Sequence, residues 1–334
     1  MSITILGIES SCDETSAAIC HNGKVINNII ATQSVHKQFG GVVPELASRA
    51  HQKNIIPVVQ QALTQSSIDL NEVSAIAYTK GPGLLGALLV GSSFAKAVSL
   101  ALEKPLIAVN HMQGHVLSHF IDDPKPEFPF LCLTVSGGHT QIVLVEDFLK
   151  MKVIGTTIDD AVGEAFDKGA KLLGFPYPGG PLIDKHAADG DPKKFSFAKS
   201  SVPEYDYSFS GIKTSLLYAL KKELSVNPDF INENKADLAA SYQACLIQML
   251  LEKLGRAAAD LNIHHIAIAG GVSANSGLRR ELTKMGAERD WKVYIPAFQY
   301  CTDNAGMIAF SGYHQFREQQ FDNLQSTPEP RMRI

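Results

Sequence analysis

Cysteine is scarce in this chain: there are five in 334 residues, scattered and never arranged as CxxC. They are Cys12, Cys20, Cys132, Cys245 and Cys301. An odd number at irregular spacing argues against the disulfide frameworks that small secreted domains use. We therefore expect free thiols and a cytoplasmic location.

Charge and long apolar runs are also in short supply. Charged residues make up 19% of the chain and the formal net charge is −4, which argues against a protein that holds nucleic acid by its overall charge. We expect no apolar stretch long enough to cross a bilayer, and so no membrane partner. No basic cluster precedes Glu9 and Asp13, so a signal peptide is not predicted.

The residues that are present indicate a folded α/β protein. The hydrophobic content of 45% is typical of a globular chain, and the length predicts two domains. Apolar strands alternate with helical segments, which predicts mixed sheets. Residues 122–129 contain three prolines and mixed charge, so they mark a linker. The tail from Ser326 is expected to fray.

Two segments in the two halves of the chain share one pattern. Residues 6–19 (beginning LGIESSCDET) and residues 133–145 (beginning LTVSGGHT) each have an apolar run, a polar tip and a second apolar run. This pattern predicts β-hairpins. Hydroxyls and glycine-freed amides at such tips suit phosphate groups. The pair favours a duplicated fold that grips a nucleotide between its lobes, while two ordinary hairpin turns remain the alternative.

A small-residue helix is predicted for residues 84–102. Leu84, Leu88 and Ala95 fall on one of its stripes, and the small side chains permit close packing. Two interpretations stay open for this stripe. It is either a surface that docks a partner helix or a face buried in the N-terminal lobe.

A metal site is indicated by His111 and His115, which follow a predicted strand over residues 105–109. Positions i and i+4 share one face of a helix, close enough for both imidazoles to bind one ion. The sequence HMQGH lacks the glutamate of HExxH, so proteolysis is disfavoured. Asp303 is either a helix N-cap or the third ligand of a set compatible with iron(II) or zinc. Surface or capping histidines remain the alternative.

A glycine-rich loop, residues 270–275 (GGVSAN), lies between a predicted strand and helix. It can bring the backbone close to a ligand, with Asn275 reading a ribose or base edge. The loop is not GxGxxG, so a dinucleotide cofactor is not expected. No GxxxxGK[ST] sequence is present, which excludes a P-loop.

Taken in order, these motifs resemble the TsaD family, formerly called Gcp or O-sialoglycoprotein endopeptidase. The resemblance covers nearly the whole chain and rests on segments 7–15 (GIESSCDET), 40–49 (GGVVPELASR), 81–84 (GPGL), 111–115 (HMQGH), 135–140 (VSGGHT), 179–181 (GGP), 270–275 (GGVSAN) and 302–304 (TDN). The SSCDET start is similar to that of the bacterial members. The resemblance implies an α/β, two-lobed actin/Hsp70/sugar-kinase (ASKHA) fold with duplicated mixed-sheet domains. It also implies an N-terminal lobe over residues 1–127, a C-terminal lobe over 128–303, and a helix at about 304–325 packing back on the first lobe.

The same resemblance implies a function, tRNA N6-adenosine threonylcarbamoyl transfer. The threonylcarbamoyl group would move from threonylcarbamoyl-AMP to N6 of the adenosine 3′-adjacent to the anticodon, in tRNAs reading codons that begin with A. The implied metal ligands are His111, His115 and Asp303, with Fe(2+) favoured and Zn(2+) as the alternative. The implied substrate contacts are Thr134, Val135, Ser136, Gly137, Gly138, Asp167, Gly180, Asp184 and Asn275.

The resemblance further implies three macromolecular partners: tRNA, the shorter paralogue TsaB as heterodimer partner, and the ATPase TsaE. No side chain is assigned as general base. Two rival functions remain for comparison, namely the metalloprotease of the family's old label and an ATPase or kinase of the same fold. The missing glutamate disfavours the first, and the histidine pair disfavours the second.

Overall fold

The computed structural model describes residues 2–200 and 202–334, and the chain divides into two compact units. One unit contains Met1–Lys125, Asp147–Met151 and Pro296–Ile334, and the other contains Pro126–Glu146 and Lys152–Ile295. These bounds differ from the predicted lobes 1–127 and 128–303 chiefly because residues 296–303 pack with the first unit. The five cysteines are free thiols.

The elements follow in the order that the sequence suggests. The strands are β1 (Thr4–Glu9), β2 (Glu14–His21), β3 (Lys24–Thr32), β4 (Ala75–Gly81), β5 (Leu106–Asn110), β6 (Phe130–Val135), β7 (Thr140–Asp147), β8 (Lys150–Thr156), β9 (His265–Ala269) and β10 (Lys292–Tyr294). The helices are α1 (Pro44–Ser66), α2 (Leu85–Leu102), α3 (His111–Leu117), α4 (Val162–Leu172), α5 (Gly180–Ala187), α6 (Ser210–Leu224), α7 (Phe230–Glu233), α8 (Lys235–Leu261), α9 (Ser276–Glu288) and α10 (Ala305–Arg317). The last helix is shorter than the predicted 304–325.

Each unit contains a five-stranded mixed sheet of the same design. The strand order is β3-β2-β1-β4-β5 in the first and β8-β7-β6-β9-β10 in the second. In the first sheet β1 pairs antiparallel with β2 and parallel with β4. In the second, β6 pairs antiparallel with β7 and parallel with β9. The predicted duplication of a mixed-sheet α/β domain is therefore confirmed.

The first sheet determines where its functional side chains lie. Strands β1, β4 and β5 run parallel, so their carboxyl ends share one edge of the sheet, where α/β proteins bind ligands. Helix α10 packs on β1, and Gly7 makes this possible because a Cβ there would lie 2.6 Å from the Ala309 nitrogen. Asp303, just before α10, reaches the same edge.

Helix α2 decides one open alternative and corrects one expectation. Leu88 and Ala95 are fully buried, so the predicted stripe is core, and the exposed face instead carries Leu85 and Leu89. The helix over Leu85–Leu102 is also long and apolar enough to cross a membrane, with a mean hydropathy of 1.7 and one third of its residues buried. The expectation that no apolar stretch reaches that length is therefore wrong.

The C-terminal tail is ordered, so the prediction of fraying from Ser326 is also wrong. The Glu329 nitrogen donates to the Lys80 carbonyl at 2.8 Å, and the Gly83 nitrogen donates to the Pro330 carbonyl at 3.2 Å. These tail residues supply partners to backbone groups at and just beyond the end of β4, which gives the tail a fixed course without regular secondary structure.

Candidate metal centre and ligand loops

Helix α3 places two imidazoles side by side at the end of β5. Its N-cap is Asn110, whose Oδ1 accepts from the Met112 nitrogen at 2.9 Å and the Gln113 nitrogen at 3.2 Å. This cap starts the helix directly after the strand. His111 and His115 are one turn apart, with ring centroids 4.7 Å apart and planes nearly perpendicular. Both are buried, which does not fit a pair of surface histidines.

Asp303 completes a three-ligand group. Its Oδ1 lies 3.3 Å from the Nε2 atoms of both His111 and His115, and the three ligand atoms all lie within 4.8 Å of one another. Ligand atoms that each lie about 2.1 Å from one tetrahedral ion are about 3.4 Å apart, so the two 3.3 Å separations fit a shared ion. Asp303 is not the N-cap, because Asn304 caps α10 by accepting from the Met307 nitrogen at 3.0 Å.

A buried carboxylate behind His111 fixes the orientation of its ring. Glu9, fully buried, accepts at Oε2 from His111 Nδ1 at 3.0 Å and from Thr79 Oγ1 at 2.7 Å. Because Nδ1 donates to Glu9, Nε2 of the neutral ring is left as an acceptor. Two electron-rich atoms, His111 Nε2 and Asp303 Oδ1, then face each other and require a proton or a cation between them. This carboxylate–histidine–ligand arrangement is typical of metal centres, and the residues fit a metal.

The electrostatics of the group also call for positive charge. Burial lowers the pKa of His111, but the carboxylates of Asp303 and Glu9 outweigh burial and raise it well above its usual value. Burial raises the pKa of Asp303, yet the two histidines hold it well below its ordinary range. The pKa of His115 is lowered by burial and by its neighbour His111. A divalent cation bound by neutral imidazoles and the carboxylate would supply the same compensation.

Sequence reasoning missed Glu9 and Ser11 as members of this site. The Ser11 hydroxyl lies 3.3 Å from Asp303 Oδ2 and 3.3 Å from His111 Nδ1. The available signal was position, since β1 ends at Glu9 beside β4, which in turn pairs with β5. A polar side chain at the carboxyl end of a neighbouring parallel strand was a candidate for the same edge.

In the second unit, the end of β6 and the turn that follows it hold five of the predicted substrate residues. Thr134 and Val135 are fully buried, so their side chains face the interior. Ser136 Oγ accepts from the Gly138 nitrogen at 3.4 Å. Gly137 and Gly138 are exposed, and nothing lies within 4 Å of a Cβ built at either. The tip therefore presents backbone and open space.

The remaining predicted contacts form two local groups. Asp167 Oδ1 accepts from the nitrogens of Gly179 at 2.8 Å and Gly180 at 3.1 Å, which orders the start of α5. Burial raises the pKa of Asp167, although these two bonds oppose the effect. Asp184 accepts from the Ser276 nitrogen at 2.9 Å and from its hydroxyl at 2.8 Å.

Asn275 lies next to the second of these groups. Its Oδ1 caps α9 by accepting from the Leu278 nitrogen at 2.8 Å, and its Nδ2 donates to Gln243 Oε1 at 2.7 Å. One Nδ2 hydrogen is left for a ligand, so this amide would recognise an acceptor. Gln243 and Ser276 were not predicted, because both lie outside the glycine-rich loop that draws attention in the sequence.

Comparison with known proteins gives consistent results. The sequence model of the TsaD family, described as tRNA N6-adenosine threonylcarbamoyltransferase, matches residues 24–310. Several curated proteins carry the same description, among them two from Cytophaga hutchinsonii and Christiangramia forsetii. The one from Cytophaga hutchinsonii is 58% identical over 334 residues, covering 100% of this chain and 97% of the relative. The one from Christiangramia forsetii is 56% identical, covering 99% and 98%.

Solved structures share the architecture at low identity. Full-length HypF matches with a TM-score of 0.65 and 13% identity over 97% of this chain and 47% of that one. Component A of the Acidaminococcus fermentans (R)-2-hydroxyglutaryl-CoA dehydratase matches with a TM-score of 0.54 and 13% identity over 94% and 98%. Such likenesses concern the fold alone, and they confirm the expected two-domain ASKHA architecture.

Proposed function

The chain belongs to the TsaD family of tRNA N6-adenosine threonylcarbamoyltransferases, and we propose that it takes the transferred group from threonylcarbamoyl-AMP. It is a tRNA-modifying transferase. In the proposed reaction, N6 of the adenosine 3′-adjacent to the anticodon attacks the carbamoyl carbon. A carbon–nitrogen bond forms, the bond from that carbon to the phosphate oxygen breaks, AMP leaves, and N6 loses one proton.

The metal centre is the proposed electrophilic part of the site. His111, His115 and Asp303 would hold one divalent ion, with iron favoured by family resemblance and zinc equally suited to imidazole ligands. When bound, such an ion stabilises negative charge on carbonyl or phosphate oxygens. The observation that carries this assignment is the meeting of the three ligand atoms within 4.8 Å, backed by the Glu9–His111 bond.

The loops of the second unit are the proposed adenylate contacts. Exposed backbone at Gly137 and Gly138 can approach a phosphate, and Asp167 orders the glycine-rich start of α5 that contains Gly180. Asn275 offers one amide hydrogen to an acceptor on ribose or base. The adenine of tRNA must leave its stack to present N6. Positioning of the two substrates supports the reaction without an assigned base.

The assay that tests this function measures threonylcarbamoyl transfer to tRNA with purified components, omitting one component at a time. The double variant His111→Ala/His115→Ala should lose bound metal and most of the transfer activity, whereas His264→Ala, on an exposed histidine, should keep both. Full metal occupancy of the double variant by elemental analysis would overturn the ligand assignment. ATP turnover without tRNA, or peptide cleavage, would favour the rival functions instead.

We further propose that the exposed face of α2 docks the paralogue TsaB. Leu85 is 53% exposed, Leu89 45% and Leu100 65%, so three leucines of this helix stand in solvent. The substitution Ala87→Arg does not test this interface, because Ala87 is fully buried and a charge there would disrupt the core.

Leu89→Arg tests the interface with less risk to the fold. It should abolish co-purification with TsaB and lower tRNA modification while adenylate binding persists. Leu261→Arg, at a leucine 40% exposed in the second unit, is the matched control and should pair normally. Normal pairing of the Leu89 variant would place the TsaB interface elsewhere. TsaE is proposed as a further partner by family resemblance, and the cytoplasm as the location, in keeping with five free thiols.

A further inference from the structure

We propose that residues 326–334, here called the C-terminal strap, position the metal ligands of the first unit. The proposal rests on the proposed metal centre and adds residues to it that make no contact with the ion. Four hydrogen bonds join the strap to the rest of the first unit. Lys96 Nζ donates to the Ser326 carbonyl, and the Glu329 nitrogen donates to the Lys80 carbonyl. The Gly83 nitrogen donates to the Pro330 carbonyl, and Asn110 Nδ2 donates to the Arg333 carbonyl.

The end of β4 is shaped to accept the strap. A Cβ at Gly81 would overlap the Glu329 carbonyl and lie 3.2 Å from the Met332 Cβ. Lys80 Nζ also lies 3.0 Å from Glu329 Oε1, and the Lys80 side chain is only 19% exposed. The strap therefore lies flush against the backbone of β4, in a place that only glycine leaves open.

One link from the strap to the metal ligands runs through Asn110. This buried amide uses Oδ1 to cap α3 and donates from Nδ2 to the Arg333 carbonyl at 3.0 Å. The Arg333 carbonyl therefore fixes which end of the amide faces the helix. Helix α3 has only seven residues, two of them the histidine ligands, so its first turn depends on that cap. Without Arg333, a buried donor is left without a partner.

A second link runs through the turn after β4. The strap bonds to Gly83, and the next nitrogen, that of Leu84, donates to the Ser11 carbonyl at 2.8 Å. Ser11 in turn contacts His111 and Asp303 through its hydroxyl. The strap thus supports the ligands from two sides, at the cap of α3 and at the turn that carries Ser11.

The experiment measures zinc affinity by competition with a chelator in the full chain and in three variants. A chain ending at Pro328 loses the strap's contacts with Lys80, Gly83 and Asn110 and should bind zinc about tenfold or more weakly, the effect typical of lost supporting contacts around metal ligands. Asn110→Asp keeps the capping oxygen but cannot donate to Arg333, so it should show the same loss. Arg333→Ala removes the side chain and keeps the carbonyl, so it should match the parent chain.

The outcomes separate the strap from the metal centre itself. Unchanged zinc affinity in both the truncated chain and Asn110→Asp would overturn the role of the strap and leave the metal centre standing. If the truncated chain does not fold, Asn110→Asp in the full chain decides alone. Failure of the parent chain to bind zinc or iron would overturn the proposed metal centre, and the role of the strap with it.

Discussion

The two hairpin tips of this molecule have the same topology and opposite surroundings. In the first unit, Ser10 and Ser11, between β1 and β2, are almost fully buried. The Ser10 hydroxyl donates to the Ala87 carbonyl at 3.0 Å, and the Ser11 hydroxyl contacts His111 and Asp303, two of the proposed metal ligands. In the second unit, Gly137 and Gly138 are exposed, and a Cβ built at either would meet nothing within 4 Å.

The difference shows that duplication preserved the scaffold while the two tips came to use different chemistry. The polar side chains of the first tip already form hydrogen bonds within the protein, so a substitution there should lower the stability of the unliganded protein. The second tip exposes backbone groups to open space, so a substitution there should change ligand affinity and leave the stability of the protein unchanged. Two predictions test this contrast and a third compares the two units in acid, from the largest expected effect to the smallest.

The largest effect is expected for Glu9→Gln. Glu9 accepts from Ser11, Thr79 and His111, and a glutamine amide has one accepting oxygen for these three donors, so at least one buried donor loses its partner. Metal affinity should fall about 10–100-fold, measured by chelator competition. Glu288→Gln, on an exposed glutamate, is the control. Affinity within twofold of the parent would show that the carboxylate is dispensable.

Two glycine substitutions compare the tips directly. A Cβ at Gly83 would lie 2.5 Å from the Ser11 carbonyl, so Gly83→Ala should cost about 1–3 kcal/mol of stability and lower the melting temperature. Gly138→Ala meets open space and should leave the melting temperature unchanged. It should nevertheless weaken binding of a stable adenylate analogue about tenfold, or about 1.4 kcal/mol. Equal analogue affinity by calorimetry would make the second tip an ordinary turn.

The smallest effect concerns acid. Burial and Arg317 lower the pKa of His314 to about 4, against the opposing charge of Asp147. As pH falls from about 6.5 toward 4, the unfolded chain takes up a proton that the folded chain refuses, so the free energy of unfolding falls. His314→Phe keeps the stack on Phe148, whose centroid lies 3.8 Å away, and should lose less stability over this window.

A carboxylate of the second unit, Asp159, should respond to acid at lower pH than His314. Burial opposes the ionisation of Asp159, but hydrogen bonds from Ser208, Phe209 and Ser210 together outweigh it and lower the pKa below the ordinary 3.8. Its stabilising contribution is therefore lost only as pH falls through that lower value. Trp291, the single tryptophan, reports on the second unit by fluorescence, and hydrogen exchange in α10 reports on the first. Simultaneous loss of both signals at pH 5 would contradict the difference.

The sequence predicted features that depend on spacing or on strand ends. His111 and His115 share a helical face, and these two proposed metal ligands directly follow the parallel strand β5. The sequence alone could not predict which of two adjacent residues caps a helix, or which face of a helix is buried by packing. Asn304 rather than Asp303 caps α10, and the apolar face of α2 left in solvent is not the stripe of Leu88. The strap has no periodicity at all, since its course depends on carbonyls and amides of other elements.

The thickness of α2 has a mechanical consequence. Its outer side carries Leu85 and Leu89, while on its inner side a Cβ at Gly91 would overlap the hydroxyl of Ser10. A helix is about 10 Å across, so a partner bound to the outer side of α2 lies about 10 Å from the segment that joins Glu9 to Ser11. Because Gly91 packs directly against the Ser10 hydroxyl, we expect a displacement of α2 to move Ser10 as well.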